Sequence, residues 1–141
     1  CGTGLAPLFQ VASEALTWND GTRISMVLAS RNEEEILMRS ELEEMARNPC
    51  FDLHLQLSSP KSAEWPKDAS GRITVETLRK CLPVPGDRSM ILVCGTDGFV
   101  ETVAGPLQRV KLPDGTKRKL QGPLNGFLSQ LGFVADQVHK F

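Results

Sequence analysis

Tyrosine is absent from this 141-residue chain, histidine occurs only twice, and no C-x-x-C pair is present. The four cysteines, Cys1, Cys50, Cys81 and Cys94, are widely spaced and have no neighbouring histidine. That spacing excludes a zinc site and does not fit a disulfide framework, so free thiols in a reducing compartment are expected. No apolar run approaches the ~20 residues of a membrane-spanning helix, and no signal peptide is visible. A dominant charge is missing too. Sixteen Lys and Arg stand against seventeen Asp and Glu, a net charge of -1, so bulk electrostatic binding to nucleic acid or anionic lipid is not expected. Internal repeats and low-complexity tracts are lacking. What remains, 40% hydrophobic and 23% charged residues, suits one soluble domain with one core.

Short apolar strands alternate with amphipathic helices along the chain. Residues 7–16 read as a helix with Pro7 in its first turn, where a missing N–H costs little. Residues 23–30 are a near-continuous apolar run, as expected of a strand covered on both faces. A helix is expected over 33–46, burying Ile36, Leu37, Leu42 and Met45, with Glu33, Glu34 and Glu35 at its positive end. A strand follows over 51–57, placing His54 on its polar side. Then come a loop over 58–71, a short helix over 75–81 ended by Pro83, Pro85 and Gly86, and a buried strand over 90–94. A helix begins at Gly98. Residues 106–121 read as a polar loop bearing Lys111, Lys117, Arg118 and Lys119, either solvated surface or a docking surface for an acidic partner. A helix over 124–131 and a strand over 137–141, with His139 in it, complete the chain. Neither histidine is expected to be catalytic. The alternation implies parallel βαβ units with right-handed crossovers, and ligands at the carboxyl ends of the strands.

Two motifs carry chemistry. In Gly2-Thr3-Gly4-Leu5-Ala6-Pro7, two glycines allow a tight turn and close approach to an anion. The helix that follows offers free N–H groups, a pyrophosphate site by its nature, or simply a glycine turn before a helix. Pro7 stands where the ordinary dinucleotide fingerprint wants a third small residue. In Cys94-Gly95-Thr96-Asp97-Gly98-Phe99, a thiol and a glycine at a strand end leave a small, soft surface for a flat ring. The bland alternative is a strand, a turn, and a helix cap by Thr96 or Asp97.

Together these motifs, with an aromatic four residues past Gly95 and a tail ending in Phe141, resemble the ferredoxin–NADP reductase superfamily and, within it, the NADH–cytochrome b5 reductase family. Ser30 to Arg39, the Gly71-Arg72-Ile73-Thr74 segment, Leu82 to Asp87, Gln121 to Leu124, Leu131 to Phe133 and Val138 to Phe141 extend the similarity over nearly the whole chain. The resemblance implies a three-layer αβα open parallel sheet of the ferredoxin-reductase NAD-binding type. Residues 1–141 would be one pyridine-dinucleotide-binding domain whose first strand lies upstream of Cys1.

The resemblance also implies roles. Gly2, Thr3, Gly4 and Pro7 would hold the pyrophosphate and nicotinamide ribose. Cys94 and Gly95 would lie beside the nicotinamide on the hydride path to a flavin, with Thr96, Asp97 and Phe99 completing that loop. Glu35 would favour NADH by repelling a 2′-phosphate, whereas Ser30 and Arg31 suit NADPH; NADH is the expectation. Two departures stand out: Thr96-Asp97 replaces the paired prolines of most family members, and Cys1 occupies a position usually held by glycine or another small residue. The family's FAD-binding barrel, with its Arg-x-Tyr segment, is not in this chain, consistent with the missing tyrosine. FAD would be held by another domain of the same polypeptide, and a haem protein such as cytochrome b5 would accept the electrons. A regulatory dinucleotide-binding module and an NADPH-using reductase with another acceptor are the alternatives. No metal is expected. An intracellular protein is expected, with any membrane attachment supplied upstream of Cys1.

Overall fold

The computed structural model describes residues 4–141, and the chain divides into two compact units, one ending at Pro83 and one beginning at Val84. In the first unit, helix α1 (Leu5–Trp18) precedes strand β1 (Ile24–Ser30), and helix α2 (Arg39–Met45) precedes strand β2 (Phe51–Leu57). Helix α3 (Val75–Cys81) ends the unit. Strands β1 and β2 pair in parallel, Ile24 opposite Phe51 through Ser30 opposite Leu57. The pairing continues past the strand ends, where Ser58 and Ser59 donate backbone N–H groups to the carbonyls of Ser30 and Arg31.

The core of this unit joins Leu5 and Ala12 of α1, Met26 and Leu28 of β1, Ile36, Leu42 of α2, and Phe51 and Leu57 of β2. Leu42 and Leu57 are fully buried, and each such leucine contributes about 2 kcal/mol by leaving water. Val27 and Ala29 on the opposite face of β1 are half-buried, so its two faces are covered unequally.

The helix expected over 33–46 is broken. Residues Glu33–Glu35 form a single 3-10 turn capped by Asn32, Ile36 is extended, and Met38 adopts a left-handed conformation with φ 53° before α2 begins. The break drives Ile36 into the core and turns Leu37 outward, 46% exposed. Asn32 starts this turn, its side-chain oxygen accepting from the Glu34 and Glu35 N–H groups at 3.1 and 3.2 Å as an N-cap does; the interruption itself falls at extended Ile36 and left-handed Met38. Met45, the other residue expected in the core, is half-buried.

In the second unit, strand β3 (Ile91–Val93) leads into helix α4 (Asp97–Ala104). Strands β4 (Gln108–Lys111) and β5 (Lys117–Leu120) follow, then helix α5 (Gly126–Gln130) and strand β6 (Val138–Lys140). Strands β3 and β6 are parallel, Ile91 opposite Val138 through Val93 opposite Lys140. Buried Ile91, Val93, Val100, Val103, Ala104, Leu128, Phe133 and Val138 supply its apolar interior. Helices α4 and α5 approach closely at Gly126, where φ is +70° and a Cβ atom would meet the Thr102 carbonyl oxygen at 2.2 Å. Only glycine permits both the backbone angle and the approach.

The segment 106–121 is a β-hairpin, correcting the loop expected there. Strands β4 and β5 pair antiparallel around Pro113-Asp114-Gly115, where Gly115 has φ +85° and Asp114 Oδ1 accepts from both the N–H and the hydroxyl of Thr116. A Pro-Asp-Gly turn of this kind follows from the turn chemistry of those residues. It was legible; the polar strands around it were not.

Lys140 holds the base of this hairpin. Its side chain is buried, and its ammonium lies 3.5, 3.2, 3.5 and 3.1 Å from the carbonyl oxygens of Ala104, Pro106, Gly122 and Pro123. Those carbonyls come from both legs of the chain where it enters and leaves the hairpin. The Gln121 side-chain amide pairs with the Lys140 backbone, accepting its N–H at 2.8 Å and donating to its carbonyl at 3.0 Å. Burial pulls the Lys140 ammonium below its ordinary pKa of 10.5, while the four carbonyl dipoles favour the charged form. Lys140→Met leaves those carbonyls without their donor and is expected to cost about 3 kcal/mol, read as a lower urea midpoint at unchanged slope. An unchanged midpoint would show that the ammonium does not secure this unit.

Candidate functional site

At the start of the first unit, Gly4 is the N-cap residue of α1 with φ -63°, and no side chain caps that helix. No acidic residue stands in its first turn. By contrast, Thr74 caps α3 and Thr96 caps α4, each accepting the N–H three residues on. Among the described residues no side chain accepts the first-turn N–H groups of α1, which lie at the positive end of the helix dipole, a fit for a phosphate anion. Leu5 is buried, Pro7 half-buried and Ala6 exposed, so Leu5 seats this end of the helix. Gly2 and Thr3 lie outside the described residues, as does Cys1.

At the carboxyl end of β1, Ser30 is half-buried and Arg31 exposed. Glu35 is exposed, with its carboxylate reached by Asn32 Nδ2 at 3.5 Å. The anchored carboxylate in this segment is Glu33. Its two oxygens accept the backbone N–H groups of Lys61 and Ser62, each at 2.9 Å, and Lys61 Nζ pairs with Glu34. Within the loop after β2 itself, the Trp65 indole N–H donates to the Ala69 carbonyl at 3.0 Å. The loop after β2 is thus tied back to the turn after β1. Sequence reasoning missed the role of Glu33 because it placed all three glutamates on a helix dipole; the partners lie 28 and 29 residues away.

In the second unit, the turn after β3 brings Cys94, Gly95, Thr96, Asp97 and Phe99 together. The Phe141 N–H donates to the Val93 carbonyl at 3.0 Å, so the chain end lies beside this strand end. Cys94 and Gly95 are half-buried. A Cβ atom on Gly95 would meet Phe99 Cδ1 at 2.8 Å: the phenyl ring occupies the space a side chain would need. Thr96 Oγ1 accepts the Phe99 N–H at 3.4 Å, capping α4. Asp97 stands in the first turn of α4, where a carboxylate suits the helix dipole, and it pairs with Arg109 of the hairpin. Paired prolines would fix such a turn by their rings; here a threonine cap, a glycine–phenyl contact and an ion pair do so. The result is a narrow backbone surface edged by a thiol.

The histidines take no part in these turns. His54 Nε2 lies 3.1 Å from Gln56 Oε1, and Gln56, 2% exposed, donates to the Gly71 carbonyl. His139 is exposed and meets the Phe141 ring edge-on at 4.9 Å. Among the described residues no group of three or more His, Cys, Asp or Glu could hold a metal ion, and no helix is long and apolar enough to cross a membrane.

The family model described as oxidoreductase NAD-binding domain matches residues 1–105. This chain belongs to that family. Both the turn before α1 and the turn after β3 lie within the matched residues. NADH-cytochrome b5 reductase 2 of Rattus norvegicus is 39% identical over 143 residues, 99% of this chain and 44% of the relative. NADH-cytochrome b5 reductase 2 of Aspergillus fumigatus is 35% identical over 144 residues, 99% of this chain and 42% of the relative. The chain therefore spans less than half the length of these curated relatives. Its fold is that of the cytochrome b5 reductase domain of Ulva prolifera nitrate reductase, with a TM-score of 0.76 at 24% identity over 99% of this chain and 47% of that one. The CS-b5R domains of human Ncb5or, solved in the NAD+ form, match with a TM-score of 0.72 at 23% identity over 99% of this chain and 34% of that one. These likenesses bear out the ferredoxin-reductase-type α/β fold with parallel strands.

Two neighbouring N–H donors hold the Glu33 carboxyl below its ordinary 4.5, that of Lys61 first and that of Ser62 second. Because the folded-state pKa is depressed, the tether is intact above 4.5 and is lost as pH falls through the folded value. The Lys61 and Ser62 amide resonances should therefore titrate together with a midpoint under 4.5, and Glu33→Gln should flatten both curves. A midpoint at or above the ordinary value would show that the loop is not tied to this carboxylate.

Proposed function

We propose that the chain is the pyridine-dinucleotide-binding part of an intracellular flavin-dependent NADH reductase of the cytochrome b5 reductase kind. The observation that carries this reading is the turn after β3. Gly95 is kept free of a side chain by the Phe99 ring behind it, Cys94 supplies a soft thiol edge, and Thr96 locks the following helix. Such a surface suits the face of a nicotinamide, which needs close approach of backbone and a polarisable contact for its ring. In this reading Cys94 and Gly95 border the nicotinamide, with Thr96, Asp97 and Phe99 setting the shape of their turn. Gly2, Thr3, Gly4 and Pro7 take the pyrophosphate and its adjoining ribose, using the uncapped N-terminus of α1.

When bound, NADH would supply a hydride to an FAD carried by another domain of the same polypeptide, from which two electrons would pass one at a time to a haem protein, the proton going to solvent. This chain's residues bind and orient the dinucleotide; none is required as an acid or base. With its FAD, the full-length protein is expected to reduce ferricyanide using NADH. Tight NADH binding without turnover would instead favour a regulatory dinucleotide-binding module.

The preference for NADH is assigned to Glu35, whose exposed carboxylate disfavours a 2′-phosphate; Ser30 and Arg31 at the same strand end suit that phosphate. Glu35→Thr should raise kcat/KM for NADPH relative to NADH by about tenfold, the effect of removing roughly 1.4 kcal/mol of discrimination. An unchanged ratio would take Glu35 out of cofactor choice.

A further inference from the structure

The most one-sided charge in the chain lies on the hairpin. Residues 106–121 hold Arg109, Lys111, Lys117, Arg118 and Lys119 against the single carboxylate of Asp114. That segment stands at +4 and the rest of the chain at -5, although the net charge is only -1. The strand register sorts these cations. Alternate residues share a face, and Lys119 stands opposite Arg109 while Lys117 stands opposite Lys111. One face of the two-stranded ladder therefore carries Arg109, Lys111 and Lys119. On the other face are Gln108, Val110, Leu120 and Arg118. Arg109, Lys111 and Lys119 are all exposed, and among the described residues Lys111 and Lys119 have no carboxylate partner.

This arrangement works against the hairpin's own stability. Like charges directly opposite one another destabilise a strand pair, and a two-stranded hairpin is marginal in water. The fold holds it from beneath instead, through the Lys140 ammonium gripping the carbonyls of Pro106 and Pro123 at the two legs. The cationic face is thus a rigid, presented surface that the fold itself does not need.

We propose that this face, formed by Arg109, Lys111 and Lys119, docks an acidic patch on the protein that takes electrons from the reductase; the assignment rests on the reductase reading above. A ladder of cations about 5 Å apart across strands and about 7 Å apart along them matches a cluster of carboxylates on a folded partner. Residues 106–121 contain no Phe, Trp or Tyr. The segment therefore lacks the aromatic anchors that favour insertion at a lipid interface and the stacking platforms that favour single-stranded nucleic acid. Arg109 also binds Asp97 beside the Cys94-Gly95 turn, which links the docking face to the turn assigned to the nicotinamide.

The test uses the full-length, FAD-loaded protein with two acceptors, ferricyanide and soluble cytochrome b5 as the acidic haem-protein probe. Lys111→Glu/Lys119→Glu should raise KM for cytochrome b5 about tenfold at low salt and flatten its rise towards ~0.15 M salt, leaving kcat with ferricyanide unchanged. Lys119→Glu should raise KM more than Arg118→Glu, because the two make the same change in net charge on opposite faces. Equal effects of those single variants, or an unmoved KM, would overturn the docking face. Salt-sensitive binding of phosphatidylserine vesicles, lost in the double variant while KM for cytochrome b5 stays put, would assign the face to lipid and overturn it as well. Failure of the wild-type protein to reduce ferricyanide would remove the reductase reading itself, a result distinct from all of these.

Discussion

Parallel strand pairing is the constraint from which the candidate site follows. In β1 and β2, and again in β3 and β6, neighbouring strands run in the same direction. Their carboxyl ends therefore open on one side within each unit, and the connecting chain must return by a helix. The turns left at those ends are where backbone is exposed without being part of a ladder. In the first unit that end carries Ser30, Arg31 and the Asn32-capped turn of Glu33 to Glu35. In the second it carries Cys94, Gly95 and the threonine-capped start of α4. Family membership, which covers residues 1–105, accords with a site built from such turns and not from titrating side chains.

Each turn is held by a different device, and the devices share a logic. A polar side chain or a buried ring takes the place of sequence-local rigidity. Glu33 reaches across to the Lys61 and Ser62 amides. Phe99 fills the space beside Gly95. Lys140 collects four carbonyls where the hairpin meets the body of its unit. A buried ammonium among carbonyls is costly to desolvate, so its presence marks a place where several backbone acceptors converge with no strand or helix to satisfy them.

Much of the architecture was legible in the chain. Strand β2 and helix α3 match their expected bounds because an alternating run ended by serines and a threonine-capped run ended by proline punctuate themselves. The turn at Cys94-Gly95 was equally plain, since a strand, a glycine and two candidate caps lie within a few residues, and of Thr96 and Asp97 it is Thr96 that caps the helix. The helix over 33–46 was misread because its apolar spacing is satisfied by Ile36 and Leu42 alone, and nothing local reveals that Ile36 is extended and Met38 left-handed. The hairpin was misread because both of its faces meet solvent, so no contrast of polar and apolar residues marks its strands.

The sequence by itself determined the order of strands and helices outside the hairpin, the Cys94-Gly95 turn, and the family to which the chain belongs, because each depends on residues close together in the chain. Tertiary structure alone decided which carboxylate anchors a loop, why a lysine is buried, and that Arg109, Lys111 and Lys119 of the hairpin share a face. Those outcomes depend on partners 12 to 36 residues apart in the chain, and on a strand register that local residue pattern does not specify when neither face is buried.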